Sequence, residues 1–185
     1  AASGGSFETW RGRASWGRGL GEGGDVLLSG TVFDSAGQDL FYPEFSSDPS
    51  GGNTSGTDEE RGFSLFGRWL SGEWHAEAAW VTREKGIPTG SYGTVFDHPG
   101  NKTEDSQGYF DISWQRHVEE RWDLAARAFY DRYVYRGEYV YDATADGGPP
   151  DLVNDDRGDG EWVGLELRAT NFELPRQVVT VGTEV

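Results

Sequence analysis

The residues with the clearest capacity for chemistry are three histidines, a glycine run and a dense patch of carboxylates. His75, His98 and His117 lie far apart with no ligand spacing among them. His75 alternates with Glu77 along one polar face, a pattern that fits a wet lining better than a metal centre. Gly19-Leu20-Gly21-Glu22-Gly23-Gly24 matches G-x-G-x-x-G. A dinucleotide site needs that motif to open a helix whose N–H groups meet the pyrophosphate. Here Asp25 to Phe33 reads as a strand, so the run is a flexible turn. The stretch 138–161 carries Glu138, Asp142, Asp146, Asp151, Asp155, Asp156, Asp159 and Glu161, with Arg157 as counter-charge. Clustered carboxylates suit Ca²⁺, but EF-hand spacing is missing, and the stretch reads as a solvated loop. Ser and Thr are frequent without a G-x-S-x-G elbow. These residues predict no catalytic site, no metal and no cofactor.

Composition narrows the partners. The 185 residues carry a formal charge of −16, an excess that repels nucleic acid phosphates. Hydrophobic residues reach only 35%, yet aromatics make up 14%, unlike a disordered chain. Cysteine is absent, which removes disulfides and thiolate metal ligands. No apolar run approaches the ~18 residues of a spanning helix, so any membrane contact must be made by strands. The chain opens without Met or a charged-then-apolar leader, and the expectation is a mature product or an excised piece.

The elements that must position these residues repeat with period two. Trp10, Gly12, Ala14 and Trp16 oppose Arg11, Arg13 and Ser15; Trp74, Ala76, Ala78 and Trp80 oppose Glu73, His75 and Glu77. Phe110, Ile112 and Trp114 oppose Asp111, Ser113 and Gln115; Val163, Leu165, Leu167 and Ala169 are set against Glu161, Glu166 and Arg168. Alternation of this kind gives each strand one apolar and one polar side. The pattern predicts about eight antiparallel up-and-down strands at 7–17, 24–34, 61–71, 73–83, 107–117, 122–135, 160–171 and 176–185, with almost no helix. Each is near the length of a tilted strand crossing a bilayer core. Connections alternate short and long, with long loops at 35–60, 84–106 and 138–159. Short periplasmic turns and long extracellular loops are the plan of a transmembrane β-barrel. Trp10, Trp69, Trp74, Trp80 and Trp162 fall toward strand ends, where rings sit at headgroup level. A soluble barrel or sandwich with its apolar face inward is the alternative.

Several stretches resemble TonB-dependent receptors. Gly37-Gln38-Asp39-Leu40-Phe41-Tyr42-Pro43-Glu44-Phe45 opens the first long loop. Arg83-Glu84-Lys85-Gly86-Ile87-Pro88-Thr89-Gly90-Ser91-Tyr92-Gly93-Thr94-Val95-Phe96-Asp97 leads from a strand into the second. Tyr130-Asp131-Arg132-Tyr133 and Glu161-Trp162-Val163-Gly164-Leu165-Glu166 also look like strands of that family. The resemblance runs through essentially the whole chain. It implies a Gram-negative outer-membrane barrel of about 22 strands filled by a plug. It also implies uptake of a scarce nutrient such as an iron–siderophore complex or cobalamin, energised by the TonB complex. No TonB box or plug precedes residue 1, and eight strands cannot enclose one. Residues 1–185 are therefore expected to be a partial barrel domain, roughly the first third, whose partners are membrane lipid, the remaining strands and the plug.

Two groups of site residues follow. Aromatic loop residues Phe41, Tyr42, Phe45, Tyr92 and Phe96 are candidates for ligand capture, with packing that orders the loops as the other reading. Arg11, Arg13, Arg68, Arg127, Asp131, Glu166 and Arg168 are expected to line the lumen. A complete eight-strand barrel serving as anchor, adhesin or channel, and a soluble ligand-binding barrel, are the rival architectures.

Overall fold

The computed structural model describes residues 1–21, 23–119 and 121–185. These form one all-β sheet of nine strands in chain order, each antiparallel to the next. The strands are β1 (Ala2–Gly4), β2 (Trp10–Gly21), β3 (Gly24–Ser35), β4 (Glu60–Ser71), β5 (Trp74–Gly86), β6 (Lys102–Val118), β7 (Trp122–Tyr141), β8 (Leu152–Asn171) and β9 (Val179–Glu184). The helical content of the described residues is three short 3₁₀ turns, at Pro43–Phe45, Ser91–Gly93 and Thr144–Asp146. No helix is long and apolar enough to cross a membrane.

Register fixes which residues share a face, because residues paired across strands point the same way. Ala14, Gly30, Leu65, Trp80 and Gly108 form one row across β2 to β6. Trp16, Leu28, Gly67, Ala78, Phe110, Tyr130 and Val163 form the next. This apolar face is uncovered: Trp16, Leu28, Leu65, Phe110, Leu165 and Leu167 are all roughly half exposed. Phe96, in the second loop, and Val140, near the end of β7 beside that loop, are the buried large apolar side chains among the described residues. Among the described residues the sheet is a single layer, with no second layer packed on this face.

Glycines let that layer lie close-packed against its own aromatics. Trp80 lies over Gly108 on the neighbouring strand, and Phe129 over Gly164. A side chain at either glycine would collide with the ring, so the pairing needs the missing Cβ. Aromatic cover over strand glycine restores the packing that glycine lacks.

Several expectations are corrected. There are nine strands rather than eight, because Ala2–Gly4 pairs with Trp10–Gly12 of β2, and the first long strand runs Trp10–Gly21 rather than 7–17. The second loop is shorter than 84–106, since β5 runs to Gly86 and β6 begins at Lys102. The third is far shorter than 138–159: the acidic stretch is mostly strand, with Glu138 paired to Asp155 and Tyr141 to Leu152. Its charges are solvated on a hairpin and show no apolar alternation, which is why the stretch reads as loop. β9 is confined to Val179–Glu184 within the expected 176–185. Glu161 shares its face with Val163, across from Arg132, and Trp162 lies on the polar face beside Asp131. Trp80 sits mid-sheet rather than at a strand end, paired with Leu65 and Gly108. Glu22 of the glycine run and Glu120 of the turn 118–121 lie outside the described residues. The sheet is open, with β1 and β9 at its two edges.

Candidate functional site

The polar face gathers all seven residues expected to line a lumen, since Arg11, Arg13, Arg68, Arg127, Asp131, Glu166 and Arg168 share one register parity. Arg127 on β7 is the central link. Its Nε lies 2.5 Å from Asp111 of β6 and its Nη1 lies 2.7 Å from Glu166 of β8, tying three strands together. Its guanidinium also lies 4.9 Å from the Phe129 ring centroid. Arg68 reaches Asp25 across β3 and β4 at 3.4 Å, and Tyr109 donates to Glu77 at 3.2 Å. Arg13 donates to Ser29 at 3.1 Å, and Arg11 lies 5.4 Å from the Phe33 ring centroid. A depression of about 320 Å³ is lined by His75, Glu77, Asp111, Arg127, Glu166 and Arg168. Such a face is polar, with Arg127 and Arg68 ion-paired, and carries charge of both signs that can bind water or a polar surface.

The long loops leave the opposite end of the sheet from the tight turns and pack into one layer. Of the five aromatic candidates, three come together: Phe45 stacks on Phe96 at 4.2 Å between centroids, and Tyr42 meets Phe96 edge-on at 5.7 Å. Phe96 is buried, so this trio orders the loops. Phe41 and Tyr92 stand apart, exposed at 60% and 91%, and only they present a large aromatic surface to a ligand without rearrangement. Tyr92 holds a left-handed backbone (φ 58°, ψ 21°), an uncommon conformation for a bulky residue.

Asn101 is the keystone of the layer. It is almost fully buried. Its Nδ2 donates to the Val95 carbonyl at 2.7 Å, and its Oδ1 accepts from the Val140 N–H at 2.8 Å. Val95 N–H in turn donates to the Val140 carbonyl at 2.8 Å, so the second loop extends alongside β7. Asp97 accepts from the Ser55 N–H at 3.2 Å and from the Thr57 hydroxyl, joining the second loop to the first. His98 Nε2 lies 3.6 Å from Asp151, reaching the third. Nothing in the local pattern around Asn101 marks these contacts, because they depend on the second loop folding back on itself and on Val140, which is distant in sequence.

Above the apolar rows, β7 and β8 continue beside β6 as far as Glu138 and then alone as a hairpin to the third loop. Tyr135 and Tyr139 fold toward each other over Gly137 and share a hydrogen bond between their phenols. Burial, then that bond, pushes the Tyr139 phenol well above the ordinary tyrosine range. The hairpin carboxylates are distributed along its length. Arg132 reaches Asp159 and Glu161 at 3.9 and 3.7 Å, and Arg157 reaches Asp159 at 2.8 Å. Among the described residues, no three His, Asp or Glu side chains converge as metal ligands would.

Compared with known proteins, the chain matches no protein-family model and none of the curated proteins.

Proposed function

We propose that this chain is a section of the wall of a Gram-negative outer-membrane β-barrel of the TonB-dependent receptor kind. In this reading it takes part in energised uptake of a scarce nutrient, such as an iron–siderophore complex or cobalamin, and catalyses no reaction. The observation that carries the proposal is the uncovered apolar face, opposite a polar face on which Arg127 bridges Asp111 and Glu166. Exposed apolar patches beyond a few hundred Å² mark a membrane or partner contact. Here the row from Trp16 to Val163 runs unbroken across β2 to β8, and the row from Ala14 reaches Gly108 on β6 before Arg132 and Glu161 end it, a breadth that suits the lipid face of a barrel. The tight connections 72–73 and 119–121 leave one end of the sheet, and the long loops 36–59, 87–101 and 142–151 leave the other. That asymmetry agrees with periplasmic turns and extracellular loops.

The receptor reading adds a plug inside the barrel and the TonB complex beyond it. The open sheet supports it over a complete eight-strand barrel, because closure would require the two edges to meet. The Arg68 Nε, buried and without a partner among the described residues, is a donor that a plug or lumen water would satisfy. Phe41 and Tyr92 are the aromatic candidates for first contact with the nutrient.

Two measurements test the proposal. Tryptophan fluorescence of the chain reconstituted in bilayers with brominated acyl chains should be strongly quenched; unchanged emission, with a folded monomer in plain buffer, would favour the soluble barrel. Cells expressing the complete receptor should accumulate one nutrient of this class only while the inner membrane is energised. Uptake insensitive to de-energisation would overturn the receptor assignment while leaving the membrane wall intact.

A further inference from the structure

The apolar face is not uniform. Across β2 to β5, one row reads Ala14, Gly30, Leu65, Trp80 and the next Trp16, Leu28, Gly67, Ala78. Bulky residues occupy β4 and β5 in the first row but β2 and β3 in the second. Small residues fill the complementary positions, so the two rows leave a trough between diagonally placed walls. Trp16, Leu28, Leu65 and Trp80 form those walls, and the trough encloses about 570 Å³. That volume falls within the ~300–1,000 Å³ usual for specific small-molecule sites. Its floor is glycine backbone on which the leucine tips rest: a side chain on Gly30 would first meet the tip of Leu65 at 3.4 Å, and one on Gly67 the tip of Leu28 at 3.2 Å.

Charge lies at one end of this trough. Arg18 is exposed and occupies the following row, level with Trp69, toward the tight β2–β3 turn. A flexible guanidinium beside an apolar trough, with an indole ring at the same level, matches the polar and apolar halves of one amphipathic molecule. We propose that the trough is a specific seat for a phospholipid of the periplasmic leaflet. One acyl chain lies between the Trp16/Leu28 and Leu65/Trp80 walls, and the phosphate is held by Arg18. The orientation follows from the fold, since the tight turns mark the leaflet whose headgroups Arg18 can reach. This assignment rests on the membrane-wall reading and goes beyond it, because bulk solvation by lipid requires no trough and no charge at its end.

The test is lipid retention. The complete barrel is extracted in a mild detergent, supplied with phosphatidylethanolamine and phosphatidylglycerol, and examined by native mass spectrometry. One phospholipid should remain bound after exchange. Arg18→Glu should lower its occupancy about tenfold, the equivalent of one lost charge-assisted phosphate contact. Arg18→Lys should keep most of it. Gly67→Leu, which fills the floor by displacing only the tip of Leu28, should abolish retention of the acyl chain while leaving the strand content unchanged by circular dichroism. Occupancy indifferent to Arg18→Glu and Gly67→Leu would overturn the seat. If brominated bilayers still quench the tryptophans in that case, the membrane wall stands and the seat alone fails. If they do not, both fail together.

Discussion

At the scale of single residues, two positions set how the wall and its loops hold together. Gly108 has no room for a side chain because the Trp80 ring occupies the space above it. Gly108→Ala must tilt that ring or shift β6, a form of overpacking that costs about 1–3 kcal/mol. The expected outcome is a lowered urea midpoint and altered tryptophan emission. Gly19→Ala is the control: its Cβ would meet open space, and the midpoint should not move. Asn101 works through hydrogen bonds rather than packing. Asn101→Ala strands the Val140 N–H and the Val95 carbonyl in a buried site, and two such losses cost about 2–4 kcal/mol. That cost should be local. Limited proteolysis should cut the second loop faster, while amide protection in β2 to β5 stays as it was.

Among the elements, the β7–β8 hairpin separates what was legible in the sequence from what was not. The strand at the apolar rows was legible because Leu124, Ala126 and Ala128 oppose Arg127 and Asp131, although Phe129 on the polar side blurs the pattern. Its extension to Tyr141 was not, because charges occur on both strands there and the Tyr133, Tyr135 and Tyr139 repeat faces only Gly160, Gly158 and Asn154 on β8. Pairing of Glu138 with Asp155 and of Arg136 with Arg157 comes from continuation of the ladder begun below, not from local preference. The site shows the same division. Parity alone placed the seven polar-face residues together, whereas the stacking of Phe45 on Phe96 depends on two loops meeting, which spacing does not encode. The hairpin also has a pH dependence of its own. The Tyr139 phenol is raised chiefly by burial, so the folded hairpin holds this proton more tightly than the unfolded chain. Its contribution is complete below the unfolded tyrosine value of about 10 and is lost as pH rises toward and through the folded value. Phenolate absorbance should therefore show a late-titrating tyrosine that Tyr139→Phe removes, and a titration of Tyr139→Phe identical to the parent would refute the assignment.

For the whole molecule, the governing fact is an open sheet with one apolar and one polar face. Unpaired edge groups template pairing with another chain. The edge at β9 can be read residue by residue. Leu165 and Val185 exchange both backbone hydrogen bonds, at 3.0 Å each. Hydrogen-bonded pairs recur at every second residue, so Val181 and Thr183 also face β8, while the N–H groups of Thr180 and Gly182 point away from it. In a complete barrel those outward groups would bond to the next strand. In the isolated chain they are free to recruit a second copy. Thr180→Pro removes one outward donor without touching the β8 ladder, a placement on an edge strand that tolerates proline. The cost on the inner side is the 3.0 Å hydroxyl contact with Thr170. The isolated chain in detergent should therefore associate with rising concentration, and Thr180→Pro should shift it toward monomer in analytical ultracentrifugation. Amide exchange in β2 to β8 should be unaffected. If association persists unchanged in Thr180→Pro, the copies meet elsewhere, with the apolar face the next surface to block.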